Sequence, residues 1–310
     1  MNFEFCFRKN LSTLNLSRRS FAWGGACSYR GAMPEGLFEL VTVPGGARSL
    51  KSREHGETFH PGIGPMEEAQ ILHVAQHGLE ERMRGREEFV IWDVGLGAGA
   101  NALAVIEAIL AMEKPAARVE LRSFDETLEP LRFALKHAEE LEYPARWKRE
   151  IGELLTQGEV KIGRVTWKIE MGDFRQRVGD CAGPGPRAVL FDPYSPAANP
   201  GMWTREVFQA IRERADEDCT LTTYSRSTVT RVRLLLAGWH AGRGAATGEK
   251  TETTVAATRL EALREPLRRE WLERVRRSTA AGLREGGLTA ERVAAELAAC
   301  PQMRVGATGD

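Results

Sequence analysis

From Met33 onward, short apolar runs alternate with longer stretches in which apolar residues recur every three or four positions. The runs predict strands at 37–43, 89–94, 118–124, 164–170, 187–192, 219–224 and 252–258. The helical spacing predicts helices at 65–84, 100–112, 127–141, 203–214 and 226–237. Strands that alternate with helices specify an α/β, doubly wound sheet. Glycines and alternating polar residues between 238 and 258 predict a closing hairpin, which makes the last strand antiparallel. The chain carries no internal repeat.

Two segments depart from this pattern. Within 1–32, Arg8, Lys9, Arg18, Arg19 and Arg30 stand against a single acid, Glu4, among several serines. That segment reads as a mis-started or disordered extension; a targeting peptide and a basic RNA-binding arm are the other readings. Residues 33–259 form the main domain. From 260 to 310 the chain becomes a helical tail laced with Arg and Glu, with helices predicted at 260–284 and 289–299 and one face packed on the core.

Composition narrows the setting. Forty-three basic residues balance forty-three acidic ones among 310 residues, so a nucleic-acid partner needs a local basic patch. The five cysteines form no C-x-x-C pair, which points to a reducing, cytoplasmic compartment and away from a zinc knuckle. No apolar run approaches the roughly 20 residues that span a bilayer. His73 and His77 share a predicted helical face, but Val74 stands where a zincin carries its glutamate, and no metal is expected.

The candidate chemistry begins at Phe89–Asn101. An apolar strand containing Asp93 breaks into Gly95, Gly97 and Gly99 ahead of an apolar helix, a turn that lets the backbone approach a nucleotide-type cofactor closely. The loop has the D-x-G-x-G-x-G form that resembles the first motif of class I methyltransferases. Gly95, Gly97 and Ala100 also satisfy the loose dinucleotide fingerprint G-x-G-x-x-A, and a plain tight turn is a third reading. Acids at successive strand ends tip the balance. Asp125 lies thirty residues beyond Gly95, where it suits a ribose, and Asp173, which suits an adenine amino group, is not required for a nicotinamide enzyme. Asp192 ends the next strand ahead of a loop stiffened by Pro193, Pro196 and Pro200, pointing into the same crevice.

Four blocks then carry a resemblance: ETFHPGIGPMEEA at 57–69, WDVGLGAGAN at 92–101, DPYSPAANPGMWT at 192–204 and LTTYSRSTVTRVRLLLAGW at 221–239. Across about 37–258 the chain resembles the methyltransferase half of the bifunctional MnmC enzymes, which act on the aminomethyl group of the tRNA wobble uridine. The resemblance implies a class I, Rossmann-like methyltransferase sheet with S-adenosylmethionine as cofactor, held by Asp93, Gly95, Gly97, Gly99, Asn101, Asp125 and Asp173. It implies Asp192 as the catalytic carboxylate, and Glu68, Tyr194 and Lys250 on the substrate side. Tyr194 either stacks on the uracil or packs. The implied partner is tRNA, with a separate enzyme supplying the aminomethyl group, because no flavin oxidase segment follows residue 260. Ala198 precedes Asn199-Pro200 where the family often has lysine, and Lys250-Thr251-Glu252 replaces a common Lys-Arg-Glu cluster.

A carboxylate such as Asp192 can orient a protonated amine, accept its proton and stabilise the cationic product, while positioning supplies most of the acceleration. The alternatives are the same fold acting on a small amine, a dehydrogenase, and a non-catalytic RNA-binding relative that uses Arg226, Arg231 and Arg233.

Overall fold

Phe89 and Ile91 of the central strand join one apolar cluster, whereas Val90, Trp92 and Val94 join another, so this strand is covered on both faces. That double burial explains its nearly unbroken apolar run. The computed structural model describes residues 36–114, 116–248, 250–283 and 289–304; the expected extension at 1–32 lies outside the described residues.

The strands are β1 (Phe38–Thr42), β2 (Arg48–Ser52), β3 (Glu88–Val94), β4 (Arg118–Asp125), β5 (Glu159–Ile162), β6 (Val165–Met171), β7 (Ala188–Phe191), β8 (Thr220–Thr223), β9 (His240–Gly244) and β10 (Thr253–Ala257). β1 and β2 pair antiparallel in a small sheet of their own. The main sheet has the order β5-β6-β4-β3-β7-β8-β10-β9. Its strands from β6 to β8 run parallel, and β10 runs antiparallel to both β8 and β9. The expected antiparallel last strand is present, and the parallel strands covered on both faces form the expected doubly wound α/β sheet. From β3 the strand order departs to β4 on one side and to β7 on the other. This switch point opens a crevice beyond the carboxyl ends of the three strands.

The helices differ from expectation where backbone chemistry intervenes. The expected helix over 65–84 divides into Pro65–Ala69, a π-helical Gln70–Ala75 and Leu79–Met83, with Gly78 left-handed between the last two. His73 and His77, on this segment, point under the sheet, where their Nδ1 atoms meet the Thr222 and Thr220 hydroxyls at 2.8 and 2.7 Å. Burial pushes both imidazoles down, His73 to about 4, so they are neutral packing groups.

The expected helix over 260–284 is a series of short turns at Leu260–Ala262, Arg269–Trp271, Leu272–Arg276 and Ala281–Leu283. Pro266, which offers no N–H, prevents a continuous helix there. Ala290–Ala298 follows as a regular helix. Leu267, Trp271, Val275, Val293 and Leu297 of this region share an apolar cluster with Val232 and Leu235 of the Thr228–Leu236 helix, so the tail packs on the outside of the sheet's helical layer. Among the described residues, no helix is long and apolar enough to cross a membrane.

Candidate active site

At the end of β3 the chain turns through Gly95 and Gly97 into the Ala100–Ala111 helix. The N–H groups of Gly95 and Leu96 both donate to the Phe124 carbonyl, at 3.0 and 3.2 Å, which ties the loop to β4. Gly95 has φ 95°, and a Cβ there would lie 2.7 Å from the Asp192 carbonyl oxygen. Glycine is therefore required both by conformation and by contact. Asp125, the last residue of β4, accepts from the Gly97 N–H at 2.9 Å and from the Thr127 N–H at 3.2 Å. Burial pushes its carboxyl up even against those bonds.

The crevice is a cavity of about 700 Å³. Eight residues expected from the sequence line it: Gly95, Gly97, Asn101, Asp125, Asp192, Glu68, Tyr194 and Lys250. Three do not. Asp93 is fully buried beside β4, where it accepts from the Ser123 hydroxyl at 2.7 Å, and burial pushes its carboxyl up to about 8. Gly99 sits one residue behind the wall, packed on Leu131. Asp173 caps the Phe174–Arg177 turn and pairs with the Arg175 guanidinium at 2.6 Å, which holds its carboxyl low.

Asp192 is the centre of a polar cluster. The Asn101 side-chain N–H donates to Asp192 Oδ2 at 2.7 Å, and His60 Nε2 lies 3.5 Å from the same oxygen and 3.2 Å from Asn101 Oδ1. Burial alone would raise the Asp192 carboxyl, but the His60 and Asn101 contacts outweigh it and hold the group below the usual range. Burial likewise would lower His60, yet Asp192, Glu68 and Asn101 raise it above its ordinary value. His60 has φ 48°, a left-handed backbone that costs a non-glycine residue about 1–2 kcal/mol, and it precedes Pro61.

The outer rim is aromatic and clamped. Tyr194 packs against His55 with ring centroids 4.1 Å apart and meets Phe59 edge-on at 5.6 Å. Glu57 accepts from the Ser195 N–H at 3.0 Å and from its hydroxyl, and Trp203 Nε1 donates to the Tyr194 carbonyl at 2.8 Å. These bonds fix the proline loop from both sides. On the opposite wall Lys250 Nζ stands 4.5 Å over the Tyr224 ring and 3.6 Å from the buried Glu68 carboxylate. The Tyr224 hydroxyl donates to the Pro193 carbonyl at 3.1 Å.

Sequence reasoning passed over His60, Glu57 and Tyr224. All three stand inside the blocks quoted above, and a histidine before a proline was the available signal for the first. Elsewhere, Arg231 is buried with its guanidinium on Glu252 at 2.9 Å, and Arg233 donates to the Trp203 carbonyl at 2.9 Å. They do not form a surface patch with Arg226.

The cavity suits a nucleoside-containing donor: a glycine-lined floor that side chains would fill, and a buried carboxylate at the end of β4. Comparison with known proteins agrees. Residues 138–259 match a family model described as S-adenosyl-L-methionine-dependent methyltransferase. The chain is 31% identical over 215 residues to the tRNA 5-methylaminomethyl-2-thiouridine biosynthesis bifunctional protein MnmC of Azoarcus sp. (strain BH72), covering 65% of this chain and 33% of that one. It is 30% identical over 277 residues to the protein of the same name from Ralstonia nicotianae, covering 85% and 41%. The chain thus spans between a third and two fifths of the length of these curated relatives. Among solved structures it is similar to MNMC2 from Aquifex aeolicus, with a TM-score of 0.63, 25% identity, and coverage of 86% of this chain and 85% of that one.

Proposed function

The chain belongs to the S-adenosyl-L-methionine-dependent methyltransferases, and from that premise we propose that it methylates the exocyclic amine of 5-aminomethyl- or 5-aminomethyl-2-thiouridine at the wobble position of tRNA. The observation that carries the reading is Asp192: a carboxylate held ionised at the end of β7, in backbone contact with the glycine loop and facing the cavity. A carboxylate so placed orients a cationic amine toward the methyl donor.

In this reading Gly95, Gly97 and Asp125 hold S-adenosylmethionine, which supplies an electrophilic methyl group when bound. Asn101 fixes the Asp192 carboxylate. Asp192 orients the substrate ammonium and balances the charge of the methylated product. Tyr194, braced by His55 and Phe59, offers an aromatic edge to the uracil at the rim, and Glu68, Lys250 and Tyr224 form the facing wall. Residues 33–259 constitute the methyltransferase domain in this proposal, and 260–310 a C-terminal tail whose described residues pack on it. A tRNA substrate places the enzyme in the cytoplasm, downstream of a reaction that installs the aminomethyl group.

The test supplies labelled methyl donor with tRNA bearing the aminomethyl group, tRNA lacking it, and free small amines. Transfer to the first alone is expected. Transfer to small amines with none to tRNA would assign the enzyme to a different acceptor class.

A further inference from the structure

The amine presents a problem that Asp192 alone does not solve. A primary ammonium has no lone pair and must lose a proton before it can attack a methyl carbon. A carboxylate held below its usual range is a weak base for that task, although it is well suited to holding the cation. A stronger base stands beside it.

The hydrogen-bond pattern assigns the protons. Ionised Asp192 can only accept, so the Asn101 group at 2.7 Å from Oδ2 is the amide NH₂. The Asn101 oxygen therefore faces His60, and His60 Nε2, 3.2 Å away, carries a hydrogen and donates to it. In the neutral ring the lone pair then resides on Nδ1, which hydrogen-bonds to no other group among the described residues, and the ring lines the cavity. The backbone at this position is left-handed without being glycine, a conformation the surrounding packing must hold in place.

We propose that His60, through Nδ1, is the general base that deprotonates the substrate ammonium, while Asp192 orients the nitrogen and remains ionised. This rests on the amine-methylating reading above. The N–H bond of the ammonium breaks, its proton passes to Nδ1 directly or through one water, and its electron pair stays on nitrogen. The amine then forms the N–C bond as the C–S bond of the donor breaks, the bonding pair leaving on sulfur. The product is a secondary ammonium with two N–H bonds, and His60 returns its proton to solvent.

The charged and titratable groups that act on His60 are Asp192 and Glu68, which favour its protonated form, and His73 and Asp93, the first neutral and the second largely protonated near neutrality. Turnover by the wild type should therefore rise with pH through a single limb above the ordinary imidazole value.

The experiment compares wild type, His60→Gln and His60→Gly on aminomethyl tRNA, with calorimetry of S-adenosylhomocysteine as the folding control and imidazole added to the glycine variant. The expected result is a kcat lowered by about a hundredfold or more in both variants, product affinity within about twofold of wild type, and loss of the pH limb in His60→Gln. Imidazole should restore part of the activity of His60→Gly in proportion to its free-base form. A kcat within about threefold of wild type, loss of S-adenosylhomocysteine binding, or a wild-type pH limb in His60→Gln would overturn the assignment. Failure of imidazole to restore any activity would do so as well. A wild type inactive on aminomethyl tRNA refutes the functional reading itself, and the assigned base with it, whereas an active wild type with unimpaired variants refutes only the base.

Discussion

Gly95 and Asp192 touch backbone to backbone: a single methyl group on the glycine would sit 2.7 Å from the Asp192 carbonyl oxygen. The donor loop and the strand end that bears the carboxylate are thus one mechanical unit. Gly95→Ala should displace both. Beyond the clash, alanine at φ 95° is strained by more than about 1 kcal/mol. Donor affinity and turnover are both expected to fall at least tenfold, about 1.4 kcal/mol each, read by calorimetry and by labelled-methyl transfer.

Asp125→Ala should weaken S-adenosylmethionine binding by roughly 2–4 kcal/mol, the loss of a charged acceptor together with the loop contact it maintains at the Gly97 N–H. Titration calorimetry gives the answer directly, and unchanged affinity would remove Asp125 from the donor site.

Asp192→Asn should leave donor binding near wild type while turnover drops on the order of a hundredfold or more, because the lost charge faces the amine. Full activity in this variant would exclude Asp192 from the chemistry.

Asp93 gives a stability prediction with a definite sign. Its folded value of about 8 lies above the model-peptide value near 4, so between these limits the native state holds a proton that the unfolded state has lost. Stability from this group is therefore complete below about pH 4 and declines as pH rises towards 8. Asp93→Asn, which carries no charge to bury, should gain stability relative to wild type across that window. Denaturant unfolding at pH 4, 6 and 8 measures the difference, and a constant offset would contradict it.

The central part of the fold was open to reading because its elements are long and chemically marked. β3, the glycines and the Ala100–Ala111 helix present an apolar run, a break and an apolar helix in succession. β2 (RSLKS) and β5 (EVKI) set one and two apolar residues among charged and polar ones, so neither forms the apolar run that marks the predicted strands. Gly78 divides a helix that the apolar spacing alone continues. Asp93 and Asp125 look alike as strand-end acids, yet pairing sets Asp93 opposite Ser123 and leaves Asp125 beyond it, so only the second reaches the cavity. Asp173 is diverted by Arg175, its neighbour two residues on. His60 acquires its place from Asn101 and Asp192, partners that no local pattern brings together.

The small sheet formed by β1 and β2 leads directly into Glu57, Phe59 and His60, whereas the glycine loop, Asp125 and Asp192 all belong to the large one. The base proposed for the amine and the loop proposed for the donor thus come from different stretches of chain that meet at the crevice, where Asp192 reaches the amine from the large sheet. Changes confined to residues 36–61 can shift Glu57, Phe59 and His60 while the parallel strands that carry the glycine loop, Asp125 and Asp192 keep their register. The architecture lets the rim and the proposed base vary while the glycine floor and the carboxylate stay as they are.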